Sequence, residues 1–235
     1  MPFPLAHPAA VLPLRRFCPR WLSFPALVAG ALSPDTGYAL ARFRVANLAH
    51  TFIGSFVYCL PAGLVIFACG YGAYHLATKH SPPPIKALLP HRVQFGAPVA
   101  ILFSVLIGAW SHLLWDAFTH KGGWLVDHFP VLQTDVVFAM GRWLKVHHFL
   151  WYFCSFAGVA WLCLAYEKWM WRPAKRSALE TWLNPLIAGA LVLPISAIHH
   201  LIAAPVGNLL AAVLTADVIG WLALRISTAR TKQDT

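Results

Sequence analysis

Residues 97–118 read APVAILFSVLIGAWSHLLWDAF, a stretch in which Asp116 is the only formally charged side chain. A helix crosses the hydrocarbon core of a bilayer with roughly 20 predominantly apolar residues. The stretch therefore predicts a transmembrane helix. It also places a histidine, His112, and the Asp116 carboxylate near the end of that helix.

Four other stretches of the chain are similarly apolar. Of all residues, 59% are hydrophobic and 11% are charged, whereas a typical soluble domain has about 25% charged residues. The composition excludes a soluble domain and predicts an all-α integral membrane protein with about five transmembrane helices. The four further helices are predicted at residues 51–72, 149–167, 185–203 and 206–225.

The N-terminal region contains two shorter segments. Pro8 and Pro25 fall where the first turns of helices are expected, and Ser23 precedes the second as a candidate N-cap. Segment 22–33 is apolar but too short to span a bilayer, and it ends at the helix-breaking sequence Ser33-Pro34-Asp35. We predict short interfacial or re-entrant helices in this region.

The positive charge of the chain is spread over its connections. The net charge of +10 has no dense stripe of the kind that binds nucleic acid, so a lipid bilayer is the predicted partner. Residues 1–167 form a motif-bearing membrane domain, and residues 168–235 form a basic loop with a C-terminal transmembrane hairpin. With five spans, eight basic residues, including Arg15, Arg16 and Arg20, fall on the side of the N-terminus and ten on the other. That difference does not decide the orientation.

A histidine and a carboxylate lie four residues apart at the end of the second predicted span. His112 and Asp116 share one helix face, and His120 continues that face if the helix extends another turn. Such a pair can hold a cation, as in helical metal motifs. By itself it can equally be a hydrogen-bonded pair at the membrane surface.

The connectivity of the first two spans favours the metal interpretation. The spans form an antiparallel hairpin, so His50 at the entry of the first and Asp116 at the exit of the second lie on the same membrane face. His7 and Asp35 precede the first span and are expected on that face as well. Nitrogen and oxygen ligands of this kind suit a divalent metal, with zinc first. The predicted ligands are His7, Asp35, His50, His112 and Asp116.

Four sequence blocks carry a resemblance to a known family. They are PFPLAHPAAVLPLRR at 2–16, LSPDTGY at 32–38, LAHTFIGS at 48–55 and SHLLWDAFTHKGGW at 111–124. In this order the blocks resemble the domain of unknown function 4184 family of bacterial membrane proteins, over roughly residues 2–165. The resemblance implies a multi-pass protein of the cell membrane, in bacteria the inner membrane.

That family is in turn distantly similar to membrane-bound metal-dependent hydrolases. The similarity implies a metal-dependent hydrolase with its motif at His7, Asp35, His50 and His112–Asp116. If the site is catalytic, we expect Asp116 and His120 to act beside the metal, with a lipid or phosphoester as substrate. The chain departs from the hydrolases after Asp35, where it has Thr36-Gly37 in place of a second acidic residue, and it lacks their HRGxTHS block. These departures argue against a two-metal site.

Two other functions stay open from the sequence. A small transporter or ion-handling protein would use His199, His200 and Asp217, which fall within the fourth and fifth predicted spans. A non-catalytic membrane protein would use the same N-terminal histidines to hold a structural metal.

Overall fold

The computed structural model describes residues 4–82, 86, 89, 93–139 and 142–170. Within these residues three helices are long and apolar enough to cross a membrane: Phe52–His80, Pro98–His128 and Val146–Tyr166. They confirm the predicted spans at 51–72, 97–118 and 149–167, although the first continues to His80. The predicted spans 185–203 and 206–225 lie outside the described residues.

The elements follow one another in a mostly helical order. A 3₁₀ helix, Pro4–Phe17, begins the described chain. Four short helices follow, α1 Phe24–Leu32, α2 Thr36–Ala39, α3 Phe43–Ala49 and α4 Phe52–Gly54, the last continuing through a π-helical turn, Ser55–Cys59. The remaining elements are α5 Leu60–His80, α6 Pro98–Thr119, α7 Trp124–His128, the 3₁₀ turn Pro130–Gln133, β1 Asp135–Ala139, β2 Arg142–Lys145 and α8 Val146–Met170.

Two sequence predictions need correction. Pro8 lies inside the N-terminal 3₁₀ helix and not at a helix start, whereas Pro25 does occupy the first turn of α1 after Ser23. The connection between the second and third spans contains the antiparallel pair β1–β2, with Phe138 opposite Trp143. The described chain is therefore mostly helical but not strictly all-α.

The 3₁₀ helix and α1 form an antiparallel pair, which we call the N-terminal hairpin (residues 4–35). Val11 of the 3₁₀ helix is fully buried against Leu27 and Ala31 of α1. Most of α1 is itself buried, because it packs inside the bundle between the 3₁₀ helix, α5 and α6. Of the two predicted alternatives, re-entrant and interfacial, this packing fits a re-entrant segment.

Helix α1 runs parallel to α6 at a constant offset of 81 residues. At one end the Ser23 amide donates to the Ser104 hydroxyl at 2.7 Å, and at the other His112 Nδ1 donates to the Ala31 carbonyl at 2.7 Å. Between these bonds the helices meet at Gly30 and Gly108, where an added Cβ would collide with the backbone of the facing helix. Small residues allow this approach. We call this contact the α1–α6 seam.

Candidate metal centre

Three histidines meet at the end of the bundle where α6 finishes. Each is anchored through Nδ1 to a main-chain carbonyl, at 2.7–3.2 Å. The pairs are His7 with Pro4, His50 with Ala46, and His112 with Ala31. Because a carbonyl only accepts, Nδ1 carries a proton in each ring, and in the neutral forms of His50 and His112 Nε2 is left with a lone pair. This tautomer is the one that binds metals through Nε2.

Two carboxylates face these nitrogens. Asp35 ends the turn that follows α1, and Asp116 lies one turn beyond His112 on α6; both are buried. Asp35 Oδ1 lies 3.5 Å from His50 Nε2 and 3.6 Å from His112 Nε2. Asp116 Oδ2 lies 3.3 Å and 3.2 Å from the same two nitrogens. Each imidazole therefore contacts both carboxylates.

These four donor atoms are buried and make no hydrogen bond within the described part of the chain. A lone pair on nitrogen facing a carboxylate oxygen is repulsive unless a proton or a cation lies between them. Ligand atoms around a tetrahedral ion with bonds of about 2.0–2.1 Å are separated by about 3.4 Å. The observed separations of 3.2–3.6 Å fit that value.

His7 approaches the same carboxylate from another side. Its Nε2 lies 3.2 Å from Asp116 Oδ1, and its ring stacks on His112 at a centroid distance of 3.7 Å. Two overlapping groups could hold an ion, each with its donor atoms within 4.8 Å of one another: His7 with Asp35 and His112, and His50 with His112 and Asp116. All five predicted ligands thus converge. Ion binding itself stays a prediction.

The electrostatics of the centre are dominated by the two carboxylates. Burial alone lowers the pKa of a histidine, but the neighbouring Asp116 and Asp35 outweigh it and raise the pKa of His50 to about 10. Burial likewise raises the pKa of a carboxyl, yet the surrounding histidines hold the pKa of Asp35 below its usual range. His7 is the exception, since burial and the adjacent His112 lower its pKa. The centre therefore attracts positive charge.

One side of the centre is open. The side chains of His7 and His112 are fully buried, whereas those of His50 and His120 are 20% and 26% exposed. His120, the predicted catalytic partner of Asp116, ends α6 with Nδ1 3.3 Å from Asp116 Oδ1 and 3.1 Å from the Thr119 hydroxyl. It thus contacts a ligand from the open side.

Tyr38 is a neighbour of the centre that the sequence analysis missed. Its ring centroid lies 5.4 Å from that of His50. Partial burial, together with Asp35 and Asp116, raises the pKa of its phenol. The signal was present in the block LSPDTGY, because Tyr38 follows Asp35 by three residues and shares its side of the short helix α2.

Other histidines stay apart from the ligand groups found within the described residues. His147 is buried and bonds through Nδ1 to the Leu132 carbonyl at 2.8 Å, and no carboxylate contact is recorded for it among these residues. Asp127 and His128 are exposed on α7. The candidates for ion transport, His199, His200 and Asp217, lie outside the described residues.

Comparison with known proteins agrees with the four motif blocks. Residues 1–228 match the family model described as "Domain of unknown function (DUF4184)". The chain belongs to the DUF4184 family. No curated protein and no solved structure matches this DUF4184 chain. The match covers all five residues of the candidate centre.

Proposed function

We propose that this DUF4184 protein is a membrane-embedded, metal-dependent hydrolase whose centre holds one divalent ion, zinc first. The observation that carries the proposal is the convergence of four buried, unbonded donor atoms from His50, His112, Asp35 and Asp116. Without an ion, protons on the facing imidazoles balance the two buried carboxylates, which is why the pKa of His50 is raised. We propose that a divalent cation takes the place of these protons, since metal binding releases protons from its ligands.

The open side of the centre favours catalysis over a purely structural role. Structural zinc sites are closed by four protein ligands, so catalysis with all four donors bound would use a fifth position on the ion, which catalytic zinc sites can adopt. Here the partial exposure of His50 and His120 provides an approach for a small molecule or a headgroup. The buried face, formed by His7 and His112, holds the ligands in place.

The residues on the open side can move a proton. The bound ion would supply Lewis acidity, polarising a phosphoryl or carbonyl oxygen and activating water for attack. His120 donates Nδ1–H to the Thr119 hydroxyl, which leaves its unbonded Nε2 to take a proton from water and later return it to the leaving oxygen. His7 takes no part in this proton transfer. It holds Asp116 in position through its hydrogen bond to Oδ1.

A lipid or phosphoester is the proposed substrate. The centre lies where the apolar part of α6 ends, a position that corresponds to the bilayer surface in a multi-pass protein of the cell membrane, in bacteria the inner membrane. The exposed Lys121 follows His120 directly and gives this side a positive charge for an anionic group. The family resemblance to metal-dependent hydrolases points to the same class.

Metal content is the first test, with a matched pair of variants. His112 and His147 are both buried and both bond a main-chain carbonyl through Nδ1, but only His112 faces the carboxylates. In the purified full chain we expect one divalent ion per chain, lost in His112→Ala and retained in His147→Ala. Equal metal content in the two variants would contradict the site.

Hydrolysis is the second test. The metal-loaded chain in lipid nanodiscs should cleave a member of a panel of phosphomonoesters, phosphodiesters and phospholipids. Activity should disappear on chelation and return with zinc. A chain that binds one ion tightly, unfolds at lower temperature without it and cleaves nothing in the panel would instead have a structural metal.

A further inference from the structure

The N-terminal hairpin extends far from the metal centre. His7 and Asp35 lie at the centre, and the turn between the two helices, residues 18–23, lies at the other end of the hairpin. From Ser23 to Asp35 the chain rises about 18 Å at 1.5 Å per residue. This depth is more than half of the roughly 30 Å hydrocarbon core of a bilayer.

The turn of the hairpin lies beside the opposite ends of the spans. A Cβ placed on Gly96, just before α6, would lie 3.3 Å from Ser23 Cβ. Phe95 contacts Tyr71 and Tyr74 in the second half of α5, with ring centroids 4.6 Å and 6.0 Å apart. Aromatic residues collect in this way at membrane–water interfaces. The turn therefore lies toward the ends of the spans opposite the centre.

Three arginines surround this turn. Arg15, Arg16 and Arg20 are exposed, and each guanidinium lies over an aromatic ring, at 5.8, 4.8 and 5.2 Å from the centroids of Phe24, Phe17 and Trp21. Trp21 itself is 66% exposed. The first acidic residue of the chain is Asp35, at the other end of the hairpin. We call Arg15, Arg16 and Arg20 the arginine tip.

The arginine tip changes the charge balance between the two ends of the bundle. Among the described residues the end with the metal centre has Arg42, Arg44, Lys121, Arg142 and Lys145. The opposite end has Arg15, Arg16, Arg20, Lys79, Lys86 and Lys168. With five spans, moving the three arginines to this end changes the count of basic residues from eight against ten to five against thirteen. Basic residues near span ends are in excess on the cytoplasmic side.

We propose that the arginine tip crosses to the cytoplasmic leaflet and binds anionic lipid headgroups there, so that the metal centre opens on the extracytoplasmic face. The long arginine side chains extend from the apolar hairpin toward phosphate, while their aromatic partners lie at headgroup level. If the proposed hydrolase function holds, its substrate comes from the extracytoplasmic side. The orientation itself does not depend on that function.

Lysine labelling of the full chain tests the orientation. A membrane-impermeant amine reagent is applied to right-side-out and inside-out membrane vesicles, and modified lysines are identified by mass spectrometry. Lys121 should react in right-side-out vesicles, and Lys79 and Lys168 in inside-out vesicles. In the charge-conserving variant Arg20→Lys, the new lysine should react together with Lys79.

Two results would overturn this orientation. Labelling of the Arg20→Lys lysine together with Lys121 would mean that the hairpin does not cross. Labelling of Lys121 in inside-out vesicles would place the centre in the cytoplasm. Neither result depends on metal content or hydrolysis, so a failed orientation is distinguishable from a failed function.

Lipid dependence tests the partner of the arginine tip. Unfolding temperature is measured in nanodiscs with and without phosphatidylglycerol in phosphatidylcholine. The anionic lipid should raise the unfolding temperature of the wild-type chain. The rise should disappear in the triple variant Arg15→Gln, Arg16→Gln, Arg20→Gln and persist in the matched control Arg42→Gln, Arg44→Gln. A rise that persists in the triple variant, or no rise in the wild type, would contradict the proposal.

Discussion

The two halves of α6 face the N-terminal hairpin with different kinds of contact. In the first half, at the α1–α6 seam, Gly108 lets the backbones touch and the Ser104 hydroxyl accepts a main-chain hydrogen bond. In the second half, one turn further on, His112 and Asp116 present buried atoms that nothing in the described chain bonds. The same two elements line both regions.

The difference separates packing from binding. The seam gains its stability from close approach, because helices in a membrane have little hydrophobic drive between them and rely on van der Waals contact. The centre is costly without a ligand, because ionisable groups at this depth need a partner. Stability therefore reports on the seam, and metal content reports on the centre.

The largest effect is expected at the seam. In Gly108→Ala the new Cβ would meet the Leu27 carbonyl and the backbone of Gly30, so α1 must move away from α6. Overpacking usually costs about 1–3 kcal/mol, and more where the overlap is with backbone that cannot move aside, as it is here. Thermal unfolding in nanodiscs should show this loss. In the control Gly72→Ala nothing lies within 4 Å of the added Cβ, and stability should not fall. Equal stability of the two variants would contradict the close contact between α1 and α6 at Gly108.

Next in size is the loss of a ligand. Asp116→Asn keeps the shape of the side chain but removes the charge that faces four histidines. Metal affinity should fall by more than the roughly 100-fold seen for changes around a ligand shell. Elemental analysis of the purified variant measures this, and circular dichroism should show unchanged helix content. The exposed Asp127→Asn should keep its metal.

A smaller effect is expected from the proton-transfer residue. His120→Gln should retain the ion, because His120 contacts a ligand and is not in either ligand group. Its hydrolysis rate should fall by about 10²–10⁴, the range for a general acid–base residue. The exposed His128→Gln is the control and should be as active as the wild type. Loss of metal from His120→Gln would mean that His120 is itself a metal ligand.

The smallest effect is expected at Tyr38. Tyr38→Phe removes one hydroxyl and keeps the ring beside His50. One hydrogen bond contributes about 1 kcal/mol, so the rate should fall roughly five- to tenfold with metal content unchanged. Kinetics on the same substrate measure this change, and Tyr74→Phe, at the opposite end of the bundle, is the control. An unaltered rate would mean that the Tyr38 hydroxyl takes no part in catalysis.

Much of the centre was accessible from the sequence because it depends on local periodicity and connectivity. The spacing of His112 and Asp116 on one helix face and the antiparallel order of the first two spans were enough to bring His50 to the same end. The three described spans followed from apolar length. The extension of α5 to His80 did not, because residues 73–80 mix apolar and polar side chains.

The remainder depends on contacts between distant segments, which no local pattern encodes. The parallel α1–α6 seam joins residues 81 positions apart through glycines that look unremarkable in the sequence. Arg15, Arg16 and Arg20 were counted on the side of the N-terminus because nothing in the sequence indicates that segment 22–33 packs inside the bundle beside α6. The anchors of the histidines are main-chain carbonyls, which carry no residue signature at all.

One hydrogen bond, from His112 to the Ala31 carbonyl, links the seam to the metal centre. The carbonyl belongs to the seam helix, and it also fixes the ring orientation of His112 at 2.7 Å. Sliding of α1 along its neighbour would therefore turn an imidazole at the ion. In a cobalt-substituted sample such a turn would alter the visible absorption bands. The absorption spectrum would therefore measure how closely α1 and α6 pack.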